Sequence, residues 1–591
     1  MKASRGPLAA VSGIAPSPAS CAAAARGAVA LAVPLLLGVW TGAVVPSVVA
    51  GIGALWGVGQ DGFDPYHHRV RRLGGMGLCA AAGLLAGELA LRSGHPAAVT
   101  VCLVAAALVA GAVGLRGRIG AVCGMHLLLG VTVGGGIPMP GPWWHAPLAL
   151  LAGVLLVVVL SAAPWLWRRH DVERAAVLAV YRAAAAALSA AGTPAAEDAR
   201  RRLTAALDHA HHVMDRHLTH DGREQPERAA LREAFDTAVR LGEVTSALLW
   251  EGRPLPARAI EVPALLAARL LPAAGRRAGR ADAGLPAPAD ARAVPGPEPD
   301  TPGLRALAAL AARADRAPSP ALPARLPTAP RHGRAARVRY SLLLALCVLL
   351  AQVCAEVLHE PRGYWLPMTV AFVYQPDFGP VARRALHRVV GTVVGVAALG
   401  TVALLTQNTY ALIGAVAAFA ALMAVGVRRH YALATTGLTA IVLVLVDLLG
   451  DHRQLYGPRI LDTALACAIV LVAHLVLWPR SAAQRAVALT EAAVGAAQRY
   501  GRLADEVPPA QRHALRRTAY HLLAEARRAV DHARGEPGRR GRDLPSLQEL
   551  AEAVTTAERL CDAVSARTVA ARPVVRPHPV PRCAPFGPVA G

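Results

Sequence analysis

The sequence is nearly devoid of lysine: of its 62 basic residues, Lys2 alone is not arginine. It is also poor in aromatic side chains, at 4%, and in charged ones, at 17%. No Cys-x-x-Cys pair occurs among the nine cysteines, so neither a zinc site nor a disulfide framework is indicated. Most of these cysteines fall inside apolar segments and read as small core hydrophobes. A Walker A loop is missing, so nothing points to ATP as an energy source. Nor do the mixed, Pro-rich first 26 residues resemble a cleaved signal.

What the chain does have is apolar length. Of 591 residues, 54% are hydrophobic, and the mean hydropathy of +0.39 is too high for an ordinary soluble protein of this size. The net charge of +23 raises nucleic acid as a partner. The arginines cluster at the ends of apolar segments, however, where membrane topology explains them, and nucleic acid is set aside.

A spanning helix needs about 20 mostly apolar residues. Six segments qualify in the first half, near 27–43, 44–59, 73–91, 97–115, 119–136 and 146–167. Six follow in the second, near 340–358, 364–376, 389–406, 410–427, 431–449 and 460–478. The pair at 27–59, joined at Gly42, and the segment 364–376 are short for full spans. Arginines follow the second, fourth and sixth span of each half: Arg69, Arg71, Arg72, Arg116, Arg118, Arg168 and Arg169, then Arg383, Arg384, Arg388, Arg428, Arg429 and Arg480. The opposite connections carry less net positive charge; 450–459 holds Asp451 beside Arg453 and Arg459. The positive-inside bias then places both termini and the central region in the cytoplasm. Trp143 and Trp144 fit an outer aromatic belt, and Trp165, Trp167 and Trp478 an inner one.

The fold expected is all-α and polytopic, with two repeated six-span halves. The domain order is an N-terminal segment at 1–26, a first membrane repeat at 27–168 and a helical cytoplasmic region at 169–252. A Pro/Ala/Arg-rich linker at 253–336, with a short helix near 303–314, leads to a second repeat at 337–480. Helices at 481–571 and a disordered tail at 572–591 complete it. The repeat shows in Asp61, Arg72 and Gly75 against Asp377, Arg388 and Gly391, where each arginine lies eleven residues after its aspartate and three before its glycine. The histidine cluster His209, His211, His212, His217 and His220 reads as a solvated helix face, with no metal site implied.

Residues 363–400 carry Tyr364, Trp365, Pro376, Asp377, Arg383, Arg384, Arg388, Gly391, Thr392 and Gly395 in a pattern that resembles the fusaric acid resistance family, which includes aromatic carboxylic acid efflux pumps. The resemblance is specific over this stretch, plausible over about 340–480, and weaker over 27–167. The first copy has Val48 and Val49 in place of Tyr-Trp, and Met76 in place of Thr392, so its motif reads as scaffold as readily as site. The resemblance implies an inner-membrane exporter of organic, often aromatic, acids. It implies neither an enzyme nor a cofactor.

On that reading Arg383, Arg384, Arg388 and Asp377 line a basic vestibule for an anion, and Tyr364 and Trp365 contact its ring. Gly391 and Gly395 permit close helix packing. Asp61, Arg72 and Gly75 are the repeat equivalents. A charge at mid-membrane costs roughly 2.5–3.5 kcal/mol, so Arg388 must snorkel, pair or face water, and Asp377 is its nearest acid in sequence. Glu88, near a span end, and His126, Glu356, Asp447 and His474, within or near apolar spans, are ionisable; the last four are proton-coupling candidates. The partners expected are the bilayer and a small organic anion, with self-association open. An anion channel and a non-transporting scaffold are the alternatives.

Overall fold

A computed structural model describes residues 18–62, 65–95, 97–163, 170–218, 226–271, 301–313, 333–359, 362–375, 381–449, 456–478, 481–535 and 545–571. Every regular element among them is a helix. The chain divides into two compact units. The first comprises 1–172, 328–489 and 526–551, and the second 173–327, 490–525 and 552–591.

The first unit holds twelve apolar helices. The first six are α1 (Pro18–Thr41), α2 (Val44–Gln60), α3 (Tyr66–Arg92), α4 (Ala98–Gly114), α5 (Arg118–Gly136) and α6 (His145–Ala162). Gly42, at φ +73°, turns the chain between α1 and α2, a conformation that a side chain would strain. Two separate helices therefore occupy the pair of short segments joined at Gly42. α1 also starts earlier than the expected 27. Trp165, Trp167, Arg168 and Arg169 lie outside the described residues.

Past the intervening helices α7 (Asp171–Ser189), α8 (Ala196–Leu218), α9 (Pro226–Glu251), α10 (Ala257–Leu270) and α11 (Pro302–Arg313), six more apolar helices follow. They are α12 (Arg334–Val357), α13 (Trp365–Val373), α14 (Val381–Leu405), α15 (Thr409–Arg429), α16 (Tyr431–Leu448) and α17 (Tyr456–Leu477). Among the described residues nine helices are long and apolar enough to cross a membrane; α2 and α4 are shorter apolar helices. α13 has nine residues, about 13 Å of helix against a hydrocarbon core of about 30 Å, so it does not span. It stops just before the Gln375-Pro376 pair, where proline disfavours helical backbone in the residue it follows. Asn408 caps α15, its side-chain oxygen accepting from the Tyr410 and Ala411 amides at 2.8 and 3.3 Å.

Side chains such as Leu78, Val101, Leu148, Leu155, Leu404 and Leu405 are exposed on these helices, the face that lipid requires. The packing comes in corresponding sets. α3 lies on α5 and α6, and α14 lies on α16 and α17. α2 lies on α6, and α13 on α17. Across the halves α1 meets α15 and α12 meets α4, while α2 meets α16 and α13 meets α5. Small residues allow the closest of these approaches. A Cβ at Gly87 would fall 2.7 Å from the Gly135 nitrogen, and one at Gly130 would fall 2.7 Å from the Leu84 nitrogen. Between α14 and α16, a Cβ at Gly391 would meet the Ala432 carbonyl at 2.7 Å, and one at Gly395 the Thr436 carbonyl at 2.6 Å. Gly75 is looser, with only the Cys123 sulfur at 3.4 Å.

The second unit is built from amphipathic helices. It takes α7 to α11 and parts of α18 (Ser481–Leu503), α19 (Pro509–Arg534) and α20 (Leu547–Ala570). Ser546 and Glu549 form a capping box at the start of α20: the Glu549 amide donates to Ser546 Oγ at 3.1 Å, and the Ser546 amide to Glu549 Oε2 at 2.9 Å. Two buried arginines here have their charge matched or hydrogen-bonded. Arg200 donates to Glu197 and Glu558, both at 2.8 Å, and pairs with Asp562 at 3.3 Å. Arg516 donates to Ser565, Ser246 and the Gly242 carbonyl. Burial outweighs Arg200 and holds the Asp562 carboxyl up at about 6.

Two expectations change in this region. α10 occupies part of 253–336, which sequence composition presents as linker, because a moderately apolar face overrides the Pro-rich neighbourhood; α11 lies where a short helix was expected near 303–314. His211 is no solvated residue: its ring packs edge-on against Phe235 at 4.8 Å, and burial with nearby Arg517 and Arg516 holds it neutral. No metal-binding group of histidine, cysteine or carboxylate occurs among the described residues. The tail from 572 lies outside them.

Candidate functional site

A cavity of about 760 Å³ opens in the first unit, within the range of small-molecule sites. Its polar rim comes from one end of the bundle. Gln60 closes α2, Arg72 lies in the first turns of α3, and Arg118 opens α5. Tyr374 and Gln375 follow α13; Arg383, Arg384, His387 and Arg388 lie on the first turns of α14. Arg429 ends α15, and Tyr431 begins α16. The sequence places a basic residue wherever a span meets this end, and folding brings those from both halves to one concavity.

Among the described residues the lining includes six arginines against a single carboxylate, Asp61. That carboxylate is engaged: Arg26 Nη2 reaches Asp61 Oδ2 at 2.7 Å, and Arg69 Nε lies 3.5 Å from Oδ1. Arg384 Nη1 donates to the Val373 and Gln375 carbonyls at 2.9 and 3.2 Å, fixing the end of α13. Arg72 Nη2 donates to the Gln60 carbonyl and so fixes the end of α2 in the same way. Arg388 differs. It is fully buried, none of its three side-chain nitrogens has a hydrogen-bond partner among the described residues, and its Cζ lies 4.9 Å from the Phe372 ring centroid. Arg388 lines the cavity wall, with its guanidinium buried against that ring.

Aromatic side chains complete the wall: Trp56, Tyr340, Phe372, Tyr374 and Tyr431. Tyr340 donates to the Tyr374 carbonyl at 2.8 Å, and the two rings stack at 5.3 Å. His126 hydrogen-bonds the Val122 carbonyl through Nδ1 at 2.8 Å and meets Trp56 edge-on. His387 and His430 lie with ring centroids 4.6 Å apart on the same wall.

The predicted residues separate. Asp61, Arg72, Arg383, Arg384, Arg388 and His126 line the large cavity. Tyr364 instead lines a smaller apolar cavity of about 40 Å³, and Trp365 is wholly buried behind it. Glu356 is exposed and accepts from Gln352 and Thr100 at 2.8 and 3.1 Å. Asp447 is half-buried outside both cavities, and His474 packs against Tyr374 at 5.9 Å. Glu88 pairs with Arg92 one turn along its helix. Asp377 lies outside the described residues. Arg459, which the sequence puts in a connecting loop, is in fact buried in the first turn of α17.

Sequence reasoning missed the aromatic set and the two histidines. Trp56 and Phe372 sit in uninterrupted apolar runs and look like core. His387 follows Arg383 and Arg384 by one turn, and His430 adjoins Arg429, so their basic neighbours were the available signal.

Residues 346–473 match a protein-family model described as fusaric acid resistance protein-like. Inner membrane protein YccS of Escherichia coli (strain K12) is 30% identical over 145 residues, which cover 24% of this chain and 20% of that one. The uncharacterized protein YhfK of the same organism is 33% identical over 144 residues, covering 23% and 20%. The chain thus matches about a fifth of the length of these relatives. The uncharacterized membrane protein YvaC of Bacillus subtilis (strain 168) is 25% identical over 558 residues, covering 85% of this chain and 79% of the other. No solved structure matches the chain.

Proposed function

The chain is a multi-pass integral membrane protein of the fusaric acid resistance-like family, and from that premise we propose that it exports small amphipathic organic anions, aromatic carboxylates above all. The observation that carries this reading is the large cavity, where six arginines and one engaged carboxylate face aromatic walls. Guanidinium groups in a low-dielectric wall attract a carboxylate and form charge-assisted hydrogen bonds with it. The flanking rings suit an apolar or aromatic body. The six arginines would repel a cation.

In this reading the cavity faces the cytoplasm, with both termini on the same side, as arginine placement implies. The corresponding helix pairings support two six-helix repeats, and sites between repeats are a common transporter plan. Trp56, Phe372 and Leu438 line both the large and the small cavity. Bulky side chains between two chambers suit a carrier that closes on its substrate, where a channel needs a continuous wet path. His126, His387 and His430 are the groups placed to couple protons to anion movement.

The test is accumulation of labelled 4-hydroxybenzoate in cells with and without the protein. Export lowers accumulation, and Arg388→Gln at equal membrane abundance abolishes the difference. Equal accumulation across a panel of aromatic acids would refute the reading.

A further inference from the structure

Arg459 has no role in the reading of the large cavity, yet it is the most costly side chain in the bundle after Arg388. It is fully buried, and its three side-chain nitrogens find no hydrogen-bond partner. Its Cζ lies 4.8 Å from the Trp365 ring centroid. An ion buried in this way forfeits several kcal/mol of hydration. A desolvated cation–π contact offsets only part of that cost. Arg388, likewise without hydrogen bonds, acts on Arg459 as a like charge. Both arginines line the small cavity.

We infer that Arg388 and Arg459 form an inner anion site that takes the carboxylate of an organic acid. Three features point the same way. First, the charges do not balance: Asp462, one turn further along α17, opposes Arg459, and the sum of Arg388, Arg459 and Asp462 is one positive charge. One monovalent anion neutralises it. Second, the cavity of about 40 Å³ has room for a few water-sized groups, so a carboxylate enters and a ring does not. Third, Phe372 and Trp56 line the large cavity as well, so a ring resting on them leaves its carboxylate within the small one. Each guanidinium lies against an aromatic ring, and its nitrogens, although buried, make no hydrogen bond among the described residues. A substrate moving inward exchanges the arginines of the rim for this pair.

The inference deepens the export reading and rests on it for direction, but its test is one of binding. Full-length protein in lipid nanodiscs is titrated with labelled benzoate, benzamide serving as the neutral isostere, and its melting temperature is recorded. Wild-type protein binds benzoate and is stabilised by it, and benzamide does not compete. Arg459→Met removes an uncompensated charge, so it melts higher without ligand and binds benzoate at least tenfold more weakly. Arg459→Lys keeps a cation and recovers part of the affinity. An Arg459→Met variant that binds like wild type, or that melts lower, overturns the inference. Flux separates the two readings: wild-type export with unaltered benzoate binding in Arg459→Met sinks the inner site alone. No export by the wild type, with benzoate binding weakened in Arg459→Met, sinks the export reading alone.

Discussion

Buried arginines occur in both units, and they are treated differently. In the second unit Arg200 meets Glu197, Glu558 and Asp562, and Arg516 meets two hydroxyls and a carbonyl. In the first, Arg388 and Arg459 are equally hidden, have aromatic faces beside them, and make no hydrogen bond. Satisfied buried charge holds a fold together. Unsatisfied buried charge is tolerated where something else supplies the counter-ion, and in the proposed reading that counter-ion is the transported anion.

The comparison is broken most sharply by removing one arginine from each unit. Arg200→Met strands Glu558 and Asp562 and is expected to destabilise the protein by about 3–5 kcal/mol, read by thermal or denaturant unfolding. Arg388→Met is expected to be neutral or stabilising by about 1–4 kcal/mol. That same variant loses aromatic-acid flux by about 100-fold, the worth of a charge-assisted hydrogen bond of about 3 kcal/mol. A loss of stability at both positions would erase the distinction.

Within the first unit, Arg72 sharpens it. Its guanidinium already serves the Gln60 carbonyl, so Arg72→Gln should cost about 1–2 kcal/mol of stability and reduce flux less than Arg388→Gln does. Gly391→Val tests packing apart from charge. The added side chain collides with Thr435 and the Ala432 carbonyl, with an expected loss of about 1–3 kcal/mol and a parallel fall in membrane abundance.

The smallest effect is a pH slope in the second unit. The Asp562 carboxyl lies at about 6 in the fold against 3.8 when unperturbed, so the folded state binds the extra proton between these values. Its contribution to stability is therefore greatest below about pH 4, falls as pH rises to about 6, and is constant above. Asp562→Asn should flatten that slope in melting curves recorded between pH 4 and 7.

The all-helical membrane fold was legible because apolar runs and arginine punctuation are local signals. So was half of the site: Arg383, Arg384 and Arg388 stand in a short motif, and the fold brings them to one wall with Arg72 and His126. Arg459 was not legible. Next to Asp451 and Arg453 it reads as one more loop charge, and only the start of α17 at Tyr456 moves it inside. The pair Arg459 and Asp462, opposite charges one helical turn apart at the mouth of an apolar run, was the clue available. Trp56 and Phe372 face a cavity because α2 and α13 from different halves meet the ends of other helices there, and no local pattern encodes that meeting. The glycine pairs Gly83–Gly87 and Gly130–Gly134 carried a readable four-residue spacing that marks the α3–α5 contact.

The most direct measurement is flux of labelled 4-hydroxybenzoate in proteoliposomes, wild type beside Arg388→Met, with the melting temperature of each. Uptake into or release from vesicles by the wild type, with flux lost in a variant that melts no lower, is the predicted result. Equal flux in the two proteins, or loss of flux only through loss of the fold, would contradict an anion path built on unpaired buried arginine.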